Sequence, residues 1–224
     1  MDLAQGKSFS ERIALRRVTF MALLALGLFG WLFVPAHFRQ PGFWPRMAAS
    51  VAILNLLAFA LDRAHSRLLR ADLRAHPLQK TVLGLVSAIA LYFVFLAGYF
   101  ATRFVLPFAG AEISSIYAQK ETARTAQIVL FLALVIGPGE EIFWRAYLQR
   151  NITQRTGKAW GLGITTALYG LAHVFSGNFM LVTAALVAGA FWGWMYNRFE
   201  SPLANAVSHT AWDLLVFVLL PFGA

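Results

Sequence analysis

Seven apolar runs of about 20 residues constrain this chain more than any other feature of its sequence. A helix needs about 20 mostly apolar residues to cross the roughly 30 Å hydrocarbon layer of a bilayer. The composition agrees, because 59% of the 224 residues are hydrophobic and 13% are charged, against about 45–50% apolar and about 25% charged residues in soluble domains. The runs are 18–36, 43–61, 81–100, 126–148, 159–177, 178–197 and 202–220. The sequence therefore predicts an all-α, polytopic integral membrane bundle.

The rest of the chain leaves little room for a second domain. Segment 111–125 is polar enough to lie outside the hydrocarbon as a short helix, although an eighth, partial span there is also compatible with the pattern. Run 18–36 is too long for the apolar part of a cleaved signal peptide, so we expect it to remain as the first span. We predict a cytoplasmic N-terminal segment at 1–17 and one membrane domain at 18–224, with seven to eight transmembrane helices.

The basic residues predict the orientation of the bundle. The chain has 19 Lys and Arg residues against 10 Asp and Glu residues. With the N-terminus in the cytoplasm, thirteen of the basic residues fall in inner segments and five in outer segments, as the positive-inside rule requires. The inner thirteen are Lys7, Arg12, Arg16, Arg17, Arg63, Arg67, Arg70, Arg74, Lys80, Arg150, Arg155, Lys158 and Arg198, and the outer five are Arg39, Arg46, Arg103, Lys120 and Arg124. Topology thus explains the positive charge, and we expect no nucleic-acid partner.

Several classes of site are excluded by missing residues. The chain has no cysteine, which excludes disulfides, a thiol nucleophile and Cys-ligated metal sites. It has no G-x-S-x-G motif of a rhomboid-like serine enzyme and no H-E-x-x-H zinc helix. The segment from Gly137 to Glu140 echoes the G-x-G-D of presenilin-type enzymes, but the second intramembrane aspartate is missing because Asp62 and Asp72 lie in a loop.

Ionisable residues inside the spans are the candidates for function, because each costs about 2.5–3.5 kcal/mol at a helix centre. Glu140 and Glu141 are adjacent, so they point about 100° apart on a helix. Arg145 lies four residues after Glu141 and is predicted to pair with it. Glu140 lacks such a neighbour, and a desolvated carboxylate suits a general base. The alternative is a plain interfacial ion pair with Glu140 as a bystander.

The residues before the two glutamates predict an irregular helix. Pro138, between Gly137 and Gly139, has no N–H and frees the carbonyl of Leu134, so the helix is expected to bend or open there. Irregular backbone at membrane depth is tolerated where it lines a wet cavity. A proline kink is also common in inert transmembrane helices.

Two later spans add histidines at helical spacing. Tyr169 and His173 are four residues apart, as are His209 and Asp213, so each pair shares a helix face. Single intramembrane histidines are usually packing residues, but two of them with an acid and a Glu-Glu pair favour one shared site. Such a set fits hydrolysis by activated water, a proton relay or a metal site. We expect this site to lie inside the membrane, nearer the cytoplasm.

Other polar or small residues carry weaker predictions. Gly189 and Gly193 are four apart on the sixth run and predict a helix-packing face. His37, His65 and His76 lie in loops or at span ends and are interpreted as unspecialised.

Three motifs follow one another on the late spans. They are Glu140-Glu141-x-x-x-Arg145, Tyr169-x-x-x-His173 and His209-x-x-x-Asp213. Together they resemble the CPBP family, which comprises CAAX proteases and bacteriocin-processing enzymes and consists of glutamate-type intramembrane endopeptidases. The resemblance covers about 129–220. It implies a bundle of about eight helices around a cavity open to the cytoplasm and to lipid.

The resemblance also implies roles for the motif residues. Glu140 and His173 would activate water, and His209, together with the residue four positions later, would stabilise the oxyanion. Glu141 and Arg145 would support them.

Two positions depart from the commoner family pattern. Tyr169 stands where Phe is usual, and Asp213 stands where Asn is frequent. An ionised carboxylate cannot donate a hydrogen bond to an oxyanion, so Asp213 is protonated, orients His209 or ligates a metal. We assign no cofactor, and zinc is the alternative. Its ligands would be Glu140, His173, His209 and Asp213.

We interpret the chain as an intramembrane endopeptidase that cleaves near the terminus or membrane anchor of a membrane-associated protein or peptide. We expect a multi-pass protein of the cytoplasmic membrane of a prokaryote, with the bilayer and the substrate as its partners. A proton-coupled transporter is one alternative, but transporters often contain inverted repeats and none is evident. A catalytically inactive scaffold is the other. A prenylated C-terminus, a peptide leader and a membrane-anchored sorting tag all remain open as substrates.

Overall fold

The computed structural model describes residues 3–38 and 40–223, and the side chains of 14–38 and 40–223. The side chains of Lys7 and Arg12, the whole of Arg39 and the start of the predicted segment 1–17 lie outside the described part. Within it the chain forms helices and no strands. The nine helices are α1 (Leu3–Phe33), α2 (Phe43–Leu61), α3 (Arg63–Arg74), α4 (Pro77–Val105), α5 (Ala109–Tyr117), α6 (Thr125–Thr156), α7 (Lys158–His173), α8 (Phe179–Phe199) and α9 (Pro202–Leu219).

Six of these helices are long and apolar enough to cross a membrane in the part of the chain that is described: α1 from Ala14, α2, α4, α6, α8 and α9. The predicted all-α membrane bundle is confirmed. The predicted span at 159–177 is shorter than expected, because α7 ends at His173 and a 3₁₀ turn follows it. Its 16 residues cover about 24 Å at 1.5 Å per residue. Segment 111–125 holds the end of the nine-residue α5, as the short-helix interpretation expected.

The helix ends follow from local sequence. Asp62, Asn178 and Ser201 are N-cap residues whose side chains accept hydrogen bonds from N–H groups in the first turns of α3, α8 and α9. Such caps satisfy N–H groups that have no partner within the helix. Pro202 occupies the first position of α9, where its missing N–H costs nothing. Gly157, with φ of 86°, ends α6 and allows the chain to turn into α7.

The central helix is α6, which packs against α1, α2, α7, α8 and α9. It contains two π-helical segments, Leu132–Ile136 and Ile142–Gln149, on either side of Gly137–Glu141. The N–H of Gly137 bonds to the carbonyl of Leu132, five residues back, directly before Pro138. The predicted opening of the helix is therefore a wide turn at the proline. Such π segments occur frequently at functional sites.

The glycines around Pro138 bring two neighbouring helices close to the glutamates. A Cβ on Gly137 would lie 2.6 Å from Thr210 Oγ1 on α9, and a Cβ on Gly139 would collide with the side chain of Val51 on α2. Asn55 Nδ2 donates to the carbonyl of Gly139 at 2.9 Å. Only glycine allows this approach, so the segment fixes α2 and α9 against the middle of α6.

The glycines of α8 form the expected packing face. A Cβ on Gly189 would lie 3.2 Å from Tyr169 on α7, and a Cβ on Gly193 would collide with Leu162 on α7 and lie 2.9 Å from Gln149 Oε1 on α6. The backbone of α8 therefore lies close to both helices.

Helix α3 is fastened to one end of the bundle by two aspartates. Asp62 forms an ion pair with Arg150 at the end of α6. Asp72 pairs with Lys80 at 2.6 Å and accepts the N–H of Leu203 in α9 at 2.8 Å. We call this end of the bundle the arginine-rich end, because it carries the four arginines of α3. It is the end predicted to face the cytoplasm.

Candidate active site

Glu140 lies midway along α6 and is 3% exposed. The hydroxyl of Tyr169 on α7 donates to its Oε2 at 2.6 Å. The sequence predicts no adjacent cation for this carboxylate, and the structure supplies a phenol instead. One carboxylate oxygen is thus held by a hydrogen bond, and the other has no side-chain hydrogen-bond donor among the described residues.

Glu141 is fully buried and joins three side chains. Its Oε1 accepts from Arg145 Nη1 at 2.7 Å and lies 2.8 Å from His209 Nδ1, while its Oε2 accepts from Asn205 Nδ2 at 3.0 Å. The predicted pairing of Glu141 with Arg145 is confirmed. Because an ionised carboxylate only accepts hydrogen bonds, His209 Nδ1 is the donor in its contact.

Arg145 is buried with its charge compensated on several sides. Its Nη2 donates to the carbonyl of Gly189 at 3.3 Å. Its guanidinium carbon lies 4.8 Å from the ring centre of Tyr169 and 5.5 Å from that of Trp192. A buried ion pair needs such additional contacts to offset desolvation. Arg145 therefore links the carboxylate network to the rings around it.

His209 is positioned by an aromatic ring as well as by Glu141. The ring of Trp192 stacks on it at 3.8 Å with an interplanar angle of 20°. Trp192 is itself held, because its Nε1 donates to Ser208 Oγ at 3.1 Å and its carbonyl accepts from Asn205 Nδ2 at 2.8 Å. His209 Nε2 lies 3.6 Å from Asp213 Oδ2, which is beyond hydrogen-bond distance. This distance corresponds to an ion-pair contact rather than to a hydrogen bond.

His173 is the last residue of α7. Its Nδ1 contacts the carbonyl of Tyr169 at 2.8 Å, and since a carbonyl only accepts, Nδ1 carries a proton. The rings of Phe33 and Phe29 lie 4.6 Å and 6.4 Å from the imidazole. This arrangement leaves Nε2 as the nitrogen available to a water or a substrate.

One cavity of about 370 Å³ brings the predicted residues together. Those in its wall are Glu140, Tyr169, His173, His209 and Asp213. Glu141 and Arg145 lie behind this wall and do not line the cavity. Glu140 and His173 lie on different helices and both reach this cavity.

The cavity extends away from the arginine-rich end. Its other lining residues come from the opposite ends of α1, α2, α4 and α8, together with α5, and they include Phe33, Phe43, Tyr99 and Met180. The resemblance implies an opening to the cytoplasm. In the predicted orientation, however, the cavity lies in the non-cytoplasmic half of the bundle.

Helix α5 and the turn after it cover the cavity at that end. Trp44 Nε1 donates to the carbonyl of Gln119 at 3.2 Å, and the N–H of Phe222 donates to the hydroxyl of Tyr117 at 3.1 Å. Burial raises the pKa of Tyr117 to about 12, so its hydroxyl stays protonated. Burial also lowers the pKa of Lys120.

Within residues 3–38 and 40–223, no group of three or more His, Cys, Asp or Glu residues is spaced to hold a metal ion. The residues of the zinc alternative share the cavity wall, but two of them are engaged elsewhere. Tyr169 donates to Glu140, and His209 Nδ1 faces Glu141. Their donor atoms do not converge on one point.

Sequence reasoning missed the residues that hold the predicted site in place. Asn205 lies one turn before His209, so its spacing could have indicated a place on the same face. Trp192 and Asn55 gave no signal, because their contacts cross between helices and helical periodicity does not identify partners across a bundle.

The segment that contains the candidate site is similar to a known protein family. Residues 122–215 match a protein-family model described as "Type II CAAX prenyl endopeptidase Rce1-like". The matched segment contains all seven predicted site residues and confirms the predicted resemblance to the CPBP and CAAX-protease family. No curated protein and no solved structure matches the chain. The six apolar helices and the family match together define an integral, multi-pass membrane protein with a CAAX-protease-like segment.

Proposed function

We propose that the chain is an intramembrane endopeptidase that hydrolyses a peptide bond near the terminus or membrane anchor of a membrane-associated protein or peptide. One observation carries the proposal. Glu140, His173, His209 and Asp213 come from three helices and line a single cavity, inside the segment that matches the CAAX endopeptidase family.

Glu140 and His173 activate the water in this mechanism. Tyr169 holds Glu140 Oε2, so the other oxygen accepts a proton from a water that is also bound by His173 Nε2. The hydroxide attacks the carbonyl carbon of the peptide bond. Glu140 then returns the proton to the departing amine nitrogen as the C–N bond breaks. General acid–base catalysis of this kind contributes about 10²–10⁴-fold.

His209 stabilises the negative oxygen that forms during attack. For this role Nε2 carries a proton while Nδ1 donates to Glu141, so the working form of the ring is the imidazolium. Glu141 balances its charge directly, and Asp213 does so from 3.6 Å. Asp213 is therefore a positioning residue in this mechanism rather than a donor to the oxyanion. Preorganised donors at such a site contribute about 2.7–4 kcal/mol.

The substrate is proposed to be an apolar or lipid-anchored polypeptide in the cytoplasmic membrane of a prokaryote. The cavity is lined mostly by aromatic and aliphatic side chains apart from the catalytic group, which suits a chain buried in lipid. The matching family is described as a prenyl endopeptidase, and this favours a prenylated C-terminal peptide over a leader or a sorting tag.

Co-expression with candidate membrane peptides tests the function, with mass spectrometry of the products to locate the cut. Glu140→Gln and His209→Ala should each lower the cleavage rate at least a hundredfold without loss of folded protein. Glu200→Gln is the matched control, because Glu200 is exposed and pairs only with Lys158 among the described residues. Full cleavage by either site variant would refute the mechanism.

Metal removal tests the zinc alternative on the same preparation. With water activated by Glu140, chelator treatment should leave the cleavage rate unchanged, and metal analysis should find no stoichiometric zinc. Loss of cleavage that zinc alone restores would instead support a metalloenzyme.

A further inference from the structure

The four arginines of α3 lie on one face of that helix. Arg63, Arg67, Arg70 and Arg74 follow one another at the i, i+4, i+7 and i+11 positions, so at about 100° per residue their side chains fall within an arc of about 60°. All four are exposed. None of them forms an ion pair or a hydrogen bond with a residue in the described part of the chain. We call these four residues the arginine face.

The opposite face of α3 is turned to the bundle. His65 and Asp72 lie about opposite the arginine face on the helix. His65 is buried with its ring against Tyr147 of α6. Asp62 and Asp72, the acidic residues of this segment, pair with basic side chains of α6 and α4. These two carboxylates are therefore used on the bundle side and do not neutralise the arginine face.

The level of α3 along the bundle brings the arginine face to the surface of the bilayer. Helix α3 is joined to the membrane-spanning helices α2 and α4 by one residue at its start and two at its end. It contacts α6 at Tyr147 and Arg150, and α6 continues to Thr156, about 9 Å beyond Arg150 at 1.5 Å per residue. Helix α3 thus lies beside the last turns of α6 and not beyond its end.

Exposed apolar residues mark the same level as the membrane interface. Trp160 on α7 is 72% exposed, and the residue after it, Gly161, packs against Thr153 of α6, one turn from Arg150. Tryptophan is enriched where the hydrocarbon meets the headgroups. Leu68 and Leu73, on either side of the arginine face, are 47% and 55% exposed. A basic face bordered by exposed apolar side chains is typical of a helix that lies in the interface.

We propose that the arginine face binds the phosphate groups of anionic phospholipids in the leaflet at the arginine-rich end of the bundle. A guanidinium binds phosphate through two parallel N–H donors, and the lipid supplies the negative charge that the protein does not. In the predicted orientation this is the cytoplasmic leaflet. The binding does not depend on the proposed function.

Lipid on the arginine face should also stabilise the bundle. The other side of α3 holds both helices that carry the candidate catalytic residues Glu140 and His209, because Asp62 pairs with Arg150 of α6 and Asp72 accepts the N–H of Leu203 in α9. A ligand that binds only the folded chain raises its stability by mass action. Anionic lipid is therefore expected to raise the unfolding midpoint.

Direct binding tests the lipid on the whole protein in a neutral detergent. Native mass spectrometry gives apparent Kd values for phosphatidylglycerol and for phosphatidylcholine with the same acyl chains. Wild type should bind phosphatidylglycerol at least fivefold more tightly, and the difference should shrink as the ammonium acetate concentration rises. Equal affinity for the two lipids would overturn the proposal and leave the arginine face to an acidic protein of the aqueous phase.

Paired substitutions test the location of the site. An arginine near an anionic membrane surface contributes about fivefold to binding, so Arg67→Gln with Arg70→Gln should weaken phosphatidylglycerol binding at least fivefold. Lysine at both positions keeps the charge and should recover most of the affinity. The matched control is Arg16→Gln with Arg155→Gln, which removes the same charge from exposed positions outside α3 and should weaken binding less than twofold. Equal losses in the two glutamine pairs would refute the arginine face as the site.

Thermal unfolding separates a lipid site from a site for free anions. Phosphatidylglycerol should raise the unfolding midpoint of wild type and of the control pair, and it should raise that of the Arg67→Gln, Arg70→Gln variant less than half as much. Inorganic phosphate at the same phosphate concentration and ionic strength should leave all three midpoints unchanged. If inorganic phosphate raises the wild-type midpoint as much as the lipid does, the arginine face binds free anions and the proposal fails.

Discussion

Glu140 depends on one hydroxyl, and Tyr169→Phe removes it. The loss of a hydrogen bond to a charged group costs about 1.5–3 kcal/mol at most, and here it positions one oxygen of the general base. We expect kcat to fall about threefold to thirtyfold with KM unchanged. The rings of Trp144 and His173 still have their aromatic neighbour, so the protein should remain folded. A kcat equal to wild type would show that the hydroxyl does not position Glu140.

Trp192 is expected to act on the reaction through the imidazole of His209, on which its ring stacks. Trp192→Leu removes the stacked ring, so the imidazole loses one of its two constraints and kcat should fall about tenfold or more. Trp192→Phe keeps an aromatic face and should recover most of the rate. Rates are compared per amount of folded protein, as judged by gel filtration. A merely structural role for Trp192 would lower the folded yield of the Leu variant and leave its kcat unchanged.

At the residue scale the sequence predicted neighbours on one helix well and neighbours on different helices poorly. Helical spacing placed Arg145 beside Glu141, because i and i+4 side chains meet directly. The same reasoning predicted no partner for Glu140. Its partner Tyr169 is on another helix, and only the packing of α6 against α7 decides that their side chains meet.

At the scale of the elements, Gly139 is an expected weak point of the α2–α6 contact. A methyl group there would collide with Val51, and overpacking typically costs about 1–3 kcal/mol. Gly139→Ala should lower the thermal unfolding midpoint in detergent micelles. Adding Val51→Ala should restore part of the loss, because it removes the atoms that collide. If the second change lowers the midpoint further, the collision is not the cause.

Helix α3 contains a histidine that makes stability depend on pH. His65 is buried against Phe59 and Tyr147. Burial, followed by the charge of Arg150, lowers its pKa from 6.5 to about 4, while Asp62 opposes the shift. The unfolded chain therefore binds a proton between pH 6.5 and pH 4 that the folded chain does not, so stability falls as the pH drops through this window.

His65→Leu should remove that dependence. We expect wild type to lose on the order of 2 kcal/mol from pH 7 to pH 4 through this residue. The unfolding midpoint of each protein is measured as a function of pH, and the midpoint of the variant should fall less between pH 7 and pH 4. Each protein is compared with its own midpoint at pH 8, which removes the effect of the changed packing. An identical slope in both proteins would assign it to other groups. The interpretation of His65 as unspecialised did not anticipate its burial, because the residue was expected to lie in a loop or at a span end.

The element pattern was predictable where a helix is apolar along its whole length. Five of the seven runs became spans with bounds near those predicted, and α6 extended beyond its run at the C-terminal end. The exception is α7, whose run was apolar enough but whose helix stops at His173. Gly177 adopts a positive φ of 63° after the 3₁₀ turn. Hydropathy alone does not predict a helix end that is set by such a backbone turn.

At the scale of the whole molecule, a buried charged network and a mainly apolar cavity lie on opposite sides of the wall that carries the catalytic residues. The network of Glu141, Arg145 and Asn205 lies behind it, while the cavity in front is mainly apolar. The buried network joins α6 to α9 directly, and through the carbonyls of Gly189 and Trp192 it also reaches α8. It fixes α8 together with α6 and α9, the two helices that present Glu140 and His209, so its contribution is to geometry as much as to stability.

This arrangement predicts strong coupling between Glu141 and Arg145 in a double-mutant cycle. Removing one partner leaves an uncompensated buried charge, which costs about 3–5 kcal/mol, so Glu141→Leu and Arg145→Met should each lower the unfolding midpoint sharply. The double variant removes both charges and should be more stable than the sum of the two losses predicts, by about 1–3 kcal/mol. Its cleavage rate should still be low, because His209 loses the carboxylate that orients Nδ1. If the losses in stability are additive, the two charges are balanced by other groups. If the double variant cleaves at the full rate, Glu141 does not position His209.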